Sequence, residues 1–227
     1  MSNKDGTPND LPQGNSDVEG DNAVNDDGLQ EARSSSLTSY FAARAKLDEA
    51  IAEKTKLAGD ALVCGKGCSQ CCVGGLEVLP VEVGAIEVLL EEEGLNSVPL
   101  FQNEKCPFLD GDDECSIYDA RPFVCRTQGL ALRMDDEEQD LVRFSVKETN
   151  VAACVLNFTE REPEEDDVLD MGSVQALLTA VNAQFCEEFG YPTTERIALA
   201  GVADAILQQL VDQGIVELVP TGEGAES

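Results

Sequence analysis

Residues 63–72 read VCGKGCSQCC and place four cysteines, Cys64, Cys68, Cys71 and Cys72, within nine consecutive positions. Gly65 and Gly67 interrupt any helix entering this stretch and let the backbone curl, so the thiols are expected on a tight loop rather than on a helix face. The C-x2-C spacing of Cys68 and Cys71 is that of a metal knuckle, in which two thiolates grip one ion. Adjacent Cys71 and Cys72 cannot both point one way from an extended chain. One of them is expected to face a second ion, another iron of a cluster, or the core.

Working outward, the flanks set the fold class. Upstream, Tyr40, Ala43, Leu47, Ala50, Ile51, Leu57, Ala58, Ala61 and Leu62 recur at helical spacing from Leu37, which predicts an amphipathic helix delivering the chain to Cys64. Downstream, LEVLP (76–80) predicts a short strand, and Pro80 the first turn of a second helix that carries Val83, Ile86, Leu89 and Leu90 and closes at Gly94. Residues 101–128 read as loop with short helical turns and hold Cys106, Cys115 and Cys125. GLALRM (129–134) and LVRFSV (141–146), on either side of the polar DDEEQD, predict a β-hairpin, and Cys154 follows in ACVLNF (153–158). The acidic TEREPEEDDVLD (159–170) reads as a solvated loop before a helix striped by Val174, Leu177, Leu178, Val181, Phe185 and Phe189. A last helix is expected from Thr193 or Thr194, carrying Ile197, Leu199, Val202, Ile206 and Leu210 and stopping at Gly214, with IVELV (215–219) as a final strand. There is no internal repeat. The class that follows is mainly helical α+β, with helices packed around a loop-rich cysteine-cluster centre that has a small antiparallel β element. Residues 1–36, poor in large apolar side chains, are expected to be a disordered acidic tail, 37–219 a single cysteine-cluster metal-binding domain, and 220–227 a frayed C-terminus.

Charge narrows the partners. Against 15 basic residues stand 45 acidic ones, a formal net charge of -30. Nucleic-acid binders gain affinity by releasing counterions from phosphates with Lys and Arg, and this chain repels phosphates instead. Anionic membrane surfaces fail for the same reason, and no stretch approaches the roughly 20 apolar residues of a spanning helix. A protein or small-molecule partner is left, of unknown identity. The N-terminal stretch lacks an apolar secretion signal, so the chain is expected to stay in the cytoplasm with its thiols reduced. An odd count of nine cysteines in that compartment makes a disulfide framework unexpected and metal ligation the leading reading.

The chain has no His, which removes Cys2His2 zinc sites, imidazole-bound copper and the two-His-one-carboxylate iron site together. Thiolate ligation of zinc or iron, the latter including a [4Fe-4S] cluster, remains, and either would take four thiolates. Cys186 lies on a regular helix about 100° from the centre of its apolar stripe and is read as a half-buried thiol outside the site. In RPFVCR (121–126), Arg121 and Arg126 can offset the negative charge of a thiolate-bound metal, or else bridge to Asp110, Asp112, Asp113, Glu114 and Asp119. Pro122 stiffens the approach to Cys125, and Tyr118 is expected to pack its ring at the cluster's edge.

CGKGCSQCC followed by CPFLDGDDECSIYDARPFVCR resembles the CxxCxxCC, or YkgJ-like, family of zinc- or iron-chelating cysteine clusters, over about residues 60–160. The second segment, with C-P-F-L, C-x-I-Y and R-P-x-x-C-R in close order, is the more specific. The resemblance implies Cys64, Cys68, Cys71, Cys72, Cys106, Cys115 and Cys125 as metal ligands, and marks Tyr118, Arg121, Pro122 and Arg126 as motif positions. Three residues instead of two separate Cys64 from Cys68, which makes Cys64 the weakest assignment of the opening quartet. Cys154 is a further candidate ligand from its place in the chain. A related branch includes a flagellin lysine methyltransferase with much more chain around the motif, and that activity is not carried over.

The reading that follows is a metal-binding protein whose cysteine loop and RPFVCR segment wrap zinc or iron. One alternative is an iron-sulfur redox or S-adenosylmethionine-dependent enzyme holding an anionic substrate with Arg121 and Arg126. Another is a metal-buffering or thiol-disulfide protein. No Gly-rich nucleotide loop and no Ser, His and Asp arrangement supports a hydrolase.

Overall fold

The computed structural model describes residues 37–93, 105–134, 145–147 and 150–212. The expected tail, the charged turn 135–140, the stops at Gly94 and Gly214, the final strand and the C-terminal fray lie outside those residues. Five α-helices and six short strands are described: α1 (Thr38–Ala58), β1 (Glu77–Val78), α2 (Pro80–Glu93), α3 (Phe123–Arg126), β2 (Ala131–Arg133), β3 (Ser145–Lys147), β4 (Val151–Ala153), β5 (Val168–Asp170), α4 (Met171–Phe189), β6 (Ile197–Ala198) and α5 (Leu199–Asp212). This is a mainly helical α+β arrangement, as the sequence pattern predicts. No described helix is long and apolar enough to cross a membrane.

Helix α1 buries Tyr40, Ala43, Leu47 and Ala58 along one stripe, whereas Leu57, counted on that stripe from the sequence, is 49% exposed. Tyr40, Ala43 and Leu47 pack with Val81 and Ala85 of α2, Leu178, Val181 and Phe185 of α4, and Phe123 of α3 in the largest apolar cluster, whereas Ala58 packs with Ala131, Val151 and Val168. Gly84 makes the α2–α4 approach possible: a Cβ there would stand 3.0 Å from the Phe185 ring. Helix α4 starts under Asp170, whose side chain accepts a hydrogen bond from the Gly172 N–H at 2.9 Å, an N-cap that satisfies one orphan donor.

The sheet differs from the expected hairpin. Its order is β3-β4-β2-β5, so β4 lies between the two strands expected to pair, antiparallel to both, and β5 adds to β2 in parallel. Val151, Ala152 and Ala153 are all buried in β4. A fully buried strand lacks the alternation by which strands are recognised in a sequence, which is why it went unread. The acidic stretch is likewise more than a solvated loop. Within it, Glu165–Asp167 forms a 3-10 turn with a capping box, and Val168 and Leu169 of β5 are buried. The last helix begins at Leu199 rather than near Thr193. Ile197 and Ala198 form β6 instead, paired antiparallel with Val78 and Glu77 of β1, because the Leu199 N–H donates to the Leu76 carbonyl and ties this segment to the cysteine-bearing part of the chain.

A second apolar cluster joins Ile86 and Leu90 of α2, Phe108, Leu109 and Ile117 of the central loops, and Leu199 and Val202 of α5. Cys106 belongs to this core, and Cys72 and Cys115 pack against it.

Candidate metal centre

The cysteine loop is a series of tight turns. The Cys68 N–H donates to the Gly65 carbonyl and the Cys72 N–H to the Ser69 carbonyl, both at 3.0 Å. The Cys106 N–H then donates to the Cys72 carbonyl at 3.2 Å, and a bridge between Val73 and Lys105 fastens the second segment alongside the first. Asp110 shapes the next turn: its Oδ1 accepts from the Asp112 N–H at 2.9 Å and the Glu114 N–H at 2.8 Å. An aspartate bonding its own downstream backbone is a common turn device, and here it folds Cys115 back, with Leu109 and Cys115 forming a bridge. Pro122 precedes α3, and the Cys125 N–H donates to its carbonyl at 3.0 Å.

These turns bring six thiols to one cavity of about 60 Å³: Cys68, Cys71, Cys72, Cys106, Cys115 and Cys125. Arg121, Tyr118, Gln128 and Leu199 share its wall. The Arg121 guanidinium lies 3.6 Å above the Tyr118 ring and its Nε donates to the Tyr118 carbonyl at 2.9 Å, which fixes the cation beside the thiols. Arg126 is engaged elsewhere, donating to Asp48 Oδ1 at 2.8 Å, to the Arg121 carbonyl at 2.8 Å and to the Asp119 carbonyl, and it is not part of the cavity wall.

The thiols sense one another. A hydrogen bond from Cys72 lowers the Cys71 thiol to about 7, with the Arg121 charge acting in the same direction against burial. The same bond, then burial, then the nearby Cys71, Cys106 and Cys115 raise Cys72. Burial raises Cys106, Cys115 and Cys125, each with other cavity thiols adding to the rise. Mutual destabilisation of several thiolates in one apolar recess is what a cation would relieve.

Among the described residues no three Cys, Asp or Glu side chains stand close enough together to hold an ion as placed. The donor set nonetheless fits zinc or iron in kind: sulfur only, more than the four donors a tetrahedral site takes, with a fixed guanidinium to offset the charge. Among the described residues, the Oε1 of the wall residue Gln128 is buried and has no hydrogen-bond partner.

The remaining cysteines fall outside. Cys64 does not line the cavity. Its thiol is pushed up to about 12, first by burial and then by neighbouring Cys154 and Cys68, while a hydrogen bond from Asn157 opposes the rise. Cys154 is buried and is not part of the cavity wall, and its presence adds to the rise at Cys64. Cys186, expected to be half-buried, is 1% exposed, because the turn after α4 folds over it and offers the Pro192 carbonyl 3.8 Å from its Sγ. Gln128, Asn157 and Glu82 escaped the sequence reading. Gln128 adjoins the RPFVCR motif and so carried a positional signal, whereas Asn157 and Glu82 carried none.

Residues 63–153 match the model of the CxxCxxCC family, described as "Putative zinc- or iron-chelating domain". The match covers less than half of the chain, ends one residue before Cys154, and bears out the resemblance seen in the cysteine motifs. No curated protein and no solved structure matches the chain.

Proposed function

We propose, from the premise that residues 63–153 match a zinc- or iron-chelating family, that this chain holds one such metal centre in the six-thiol cavity. Four of Cys68, Cys71, Cys72, Cys106, Cys115 and Cys125 are the ligands, with Arg121 offsetting their charge. The observation that carries the reading is the convergence on one recess of thiols from three separate segments, in a chain with no histidine. Core thiols have no reason to gather beside a guanidinium, and apolar packing would scatter them. When bound, zinc supplies a structural cross-link between the segments, and an iron-sulfur cluster supplies one-electron chemistry.

Two features bear on what else the cavity takes. Arg121 is a fixed cation in the cavity wall, so a small anion suits the space beside the metal. With a charge of -30, the chain favours protein or small-molecule partners over nucleic acid and anionic lipid.

Anaerobic purification followed at once by an absorption spectrum and by iron, sulfide and zinc analysis tests the reading. One metal centre per chain is expected. Broad absorption near 400 nm with matching iron and sulfide assigns a cluster, and a colourless protein with one zinc assigns a structural site. A chain that retains neither, and takes up neither on anaerobic reconstitution, overturns the proposal.

A further inference from the structure

The six-thiol cavity opens at the tip of the cysteine loop. Of the residues that line it, Gly65 and Gly67 are exposed, whereas the others are buried or half-buried. The tip itself is unpacked: a Cβ added at Gly65 or Gly67 would meet nothing within 4 Å, and Gly67 has φ 88, a left-handed conformation that suits glycine. The facing wall is firmer. Asp113 and Cys115 line it, in a turn where the Asp110 N–H donates to the Glu114 carbonyl at 2.9 Å and Asp110 Oδ1 accepts from the Asp112 and Glu114 N–H groups. Lys66 stands between the two lining glycines, and Glu114 between the two lining residues opposite. Neither lines the cavity, and they pair with each other, Nζ 3.7 Å from Oε2. Among the described residues no hydrogen bond joins Gly65, Lys66 or Gly67 to that wall, so this ion pair is the polar tie across the mouth.

We infer that residues 65–67 are a strap over the cavity mouth, latched by Lys66 and Glu114, that sets how fast a metal ion enters and leaves; the inference rests on the reading of the cavity as a metal centre. With the latch closed, the strap covers the thiols. When Lys66 and Glu114 part, the glycines on either side of Lys66 let the tip swing aside. The two side chains are 65% and 48% exposed, so the latch is weak and salt loosens it. Because neither side chain lines the cavity, breaking the latch speeds entry and exit alike and leaves the affinity unchanged. A plain charge effect has another signature. Loss of Lys66 makes the mouth more negative and favours a cation, and loss of Glu114 does the reverse. The latch moves both variants in one direction.

The test follows zinc uptake by the full metal-free chain, and zinc release from the loaded chain to an excess of a coloured chelator, at about 20 mM and about 1 M salt. Lys66→Ala and Glu114→Ala should each speed both rates about 2–5-fold at low salt, with zinc per chain unchanged. The double alanine variant should be no faster than either single one. Lys66→Glu combined with Glu114→Lys should return the parent's rates, and high salt should bring the parent up to the variants. Opposite signs in the two single variants, a changed zinc affinity, or rates unmoved in both overturns the inference. A second reading needs no metal: in the metal-free chain, iodoacetamide, small and uncharged, should label the cavity thiols faster in both single variants than in the parent. Cys186, enclosed by the turn at Pro192, serves as the unchanged control. Should the parent take up no zinc, the cavity is not a zinc site, and the labelling rates alone decide the strap: equal rates in parent and variants overturn it.

Discussion

Glu82, 3% exposed, accepts a hydrogen bond from the Phe123 N–H at 2.8 Å across 41 residues of sequence, while its other oxygen accepts from the Leu79 N–H at 2.9 Å. One buried carboxylate therefore satisfies the start of α2 and the start of α3, the short helix that carries Cys125. Glu82→Ala leaves two buried N–H groups without partners, which should cost about 2–4 kcal/mol in urea unfolding. The same variant should also loosen the metal centre, seen as faster chelator-driven release, since α3 is no longer pinned.

Cys71→Ser should lower the metal content of the purified protein by at least half, because it removes the most acidic thiol of the cavity. Cys186→Ser should leave it unchanged, its sulfur being enclosed by the turn at Pro192. Equal metal in the two variants would show the ligand assignment to be wrong.

In metal-free protein, alkylation should single out Cys71. Its thiol is held near 7 by the Cys72 hydrogen bond and Arg121, so its rate should climb through neutral pH and level off by about pH 8.5. Cys64, pushed up to about 12, should stay nearly silent over that range. Cys72→Ala should slow the Cys71 reaction at pH 7, and Arg121→Ala should slow it less, following the order of the two influences.

Asp167 should govern acid stability. Its side chain is 4% exposed and paired with Arg161, and the hydrogen bonds from that guanidinium are the main cause of its lowered pKa, against burial. A carboxylate whose folded pKa is depressed stabilises the fold above its unfolded value of about 3.9 and loses that contribution as pH falls through the folded value. Asp167→Asn should therefore cost about 1–3 kcal/mol at pH 7, and the gap from the parent should close below about pH 3. Glu82 works in the opposite sense: burial raises its pKa, so its contribution is fullest below about pH 4 and declines as pH rises through the folded value.

Gly129→Ala probes the approach of the cysteine loop to the sheet. The residue has φ 92, and an added Cβ would stand 3.0 Å from the Cys64 Cβ. Strain and clash together should cost about 2–4 kcal/mol, read in urea unfolding of the variant against the parent.

The main apolar stripes of α1 and α4 were readable because Tyr40, Ala43 and Leu47, or Leu178, Val181 and Phe185, recur at the helical period and face one shared core. The gathering of Cys106, Cys115 and Cys125 was readable from their crowding between Pro and Gly. What separated Cys64 from that group was not. Its neighbour in space is decided by Asn157, whose position depends on a left-handed Phe158, and no glycine marks that turn in the sequence. Ile197 fits the period of α5 equally well as helix or strand, and only the pairing with β1 decides it. Local pattern reports which face of an element is apolar, whereas bonds between distant segments are chosen by the assembled chain.

Leu199 forms part of the cavity wall although every cavity thiol lies at or before Cys125. During synthesis, all six sulfurs therefore leave the ribosome well before the residue that helps enclose them. Metal can meet the thiols early, but the finished recess exists only once β6 has docked on β1, which makes maturation of the centre a late step in the birth of the chain.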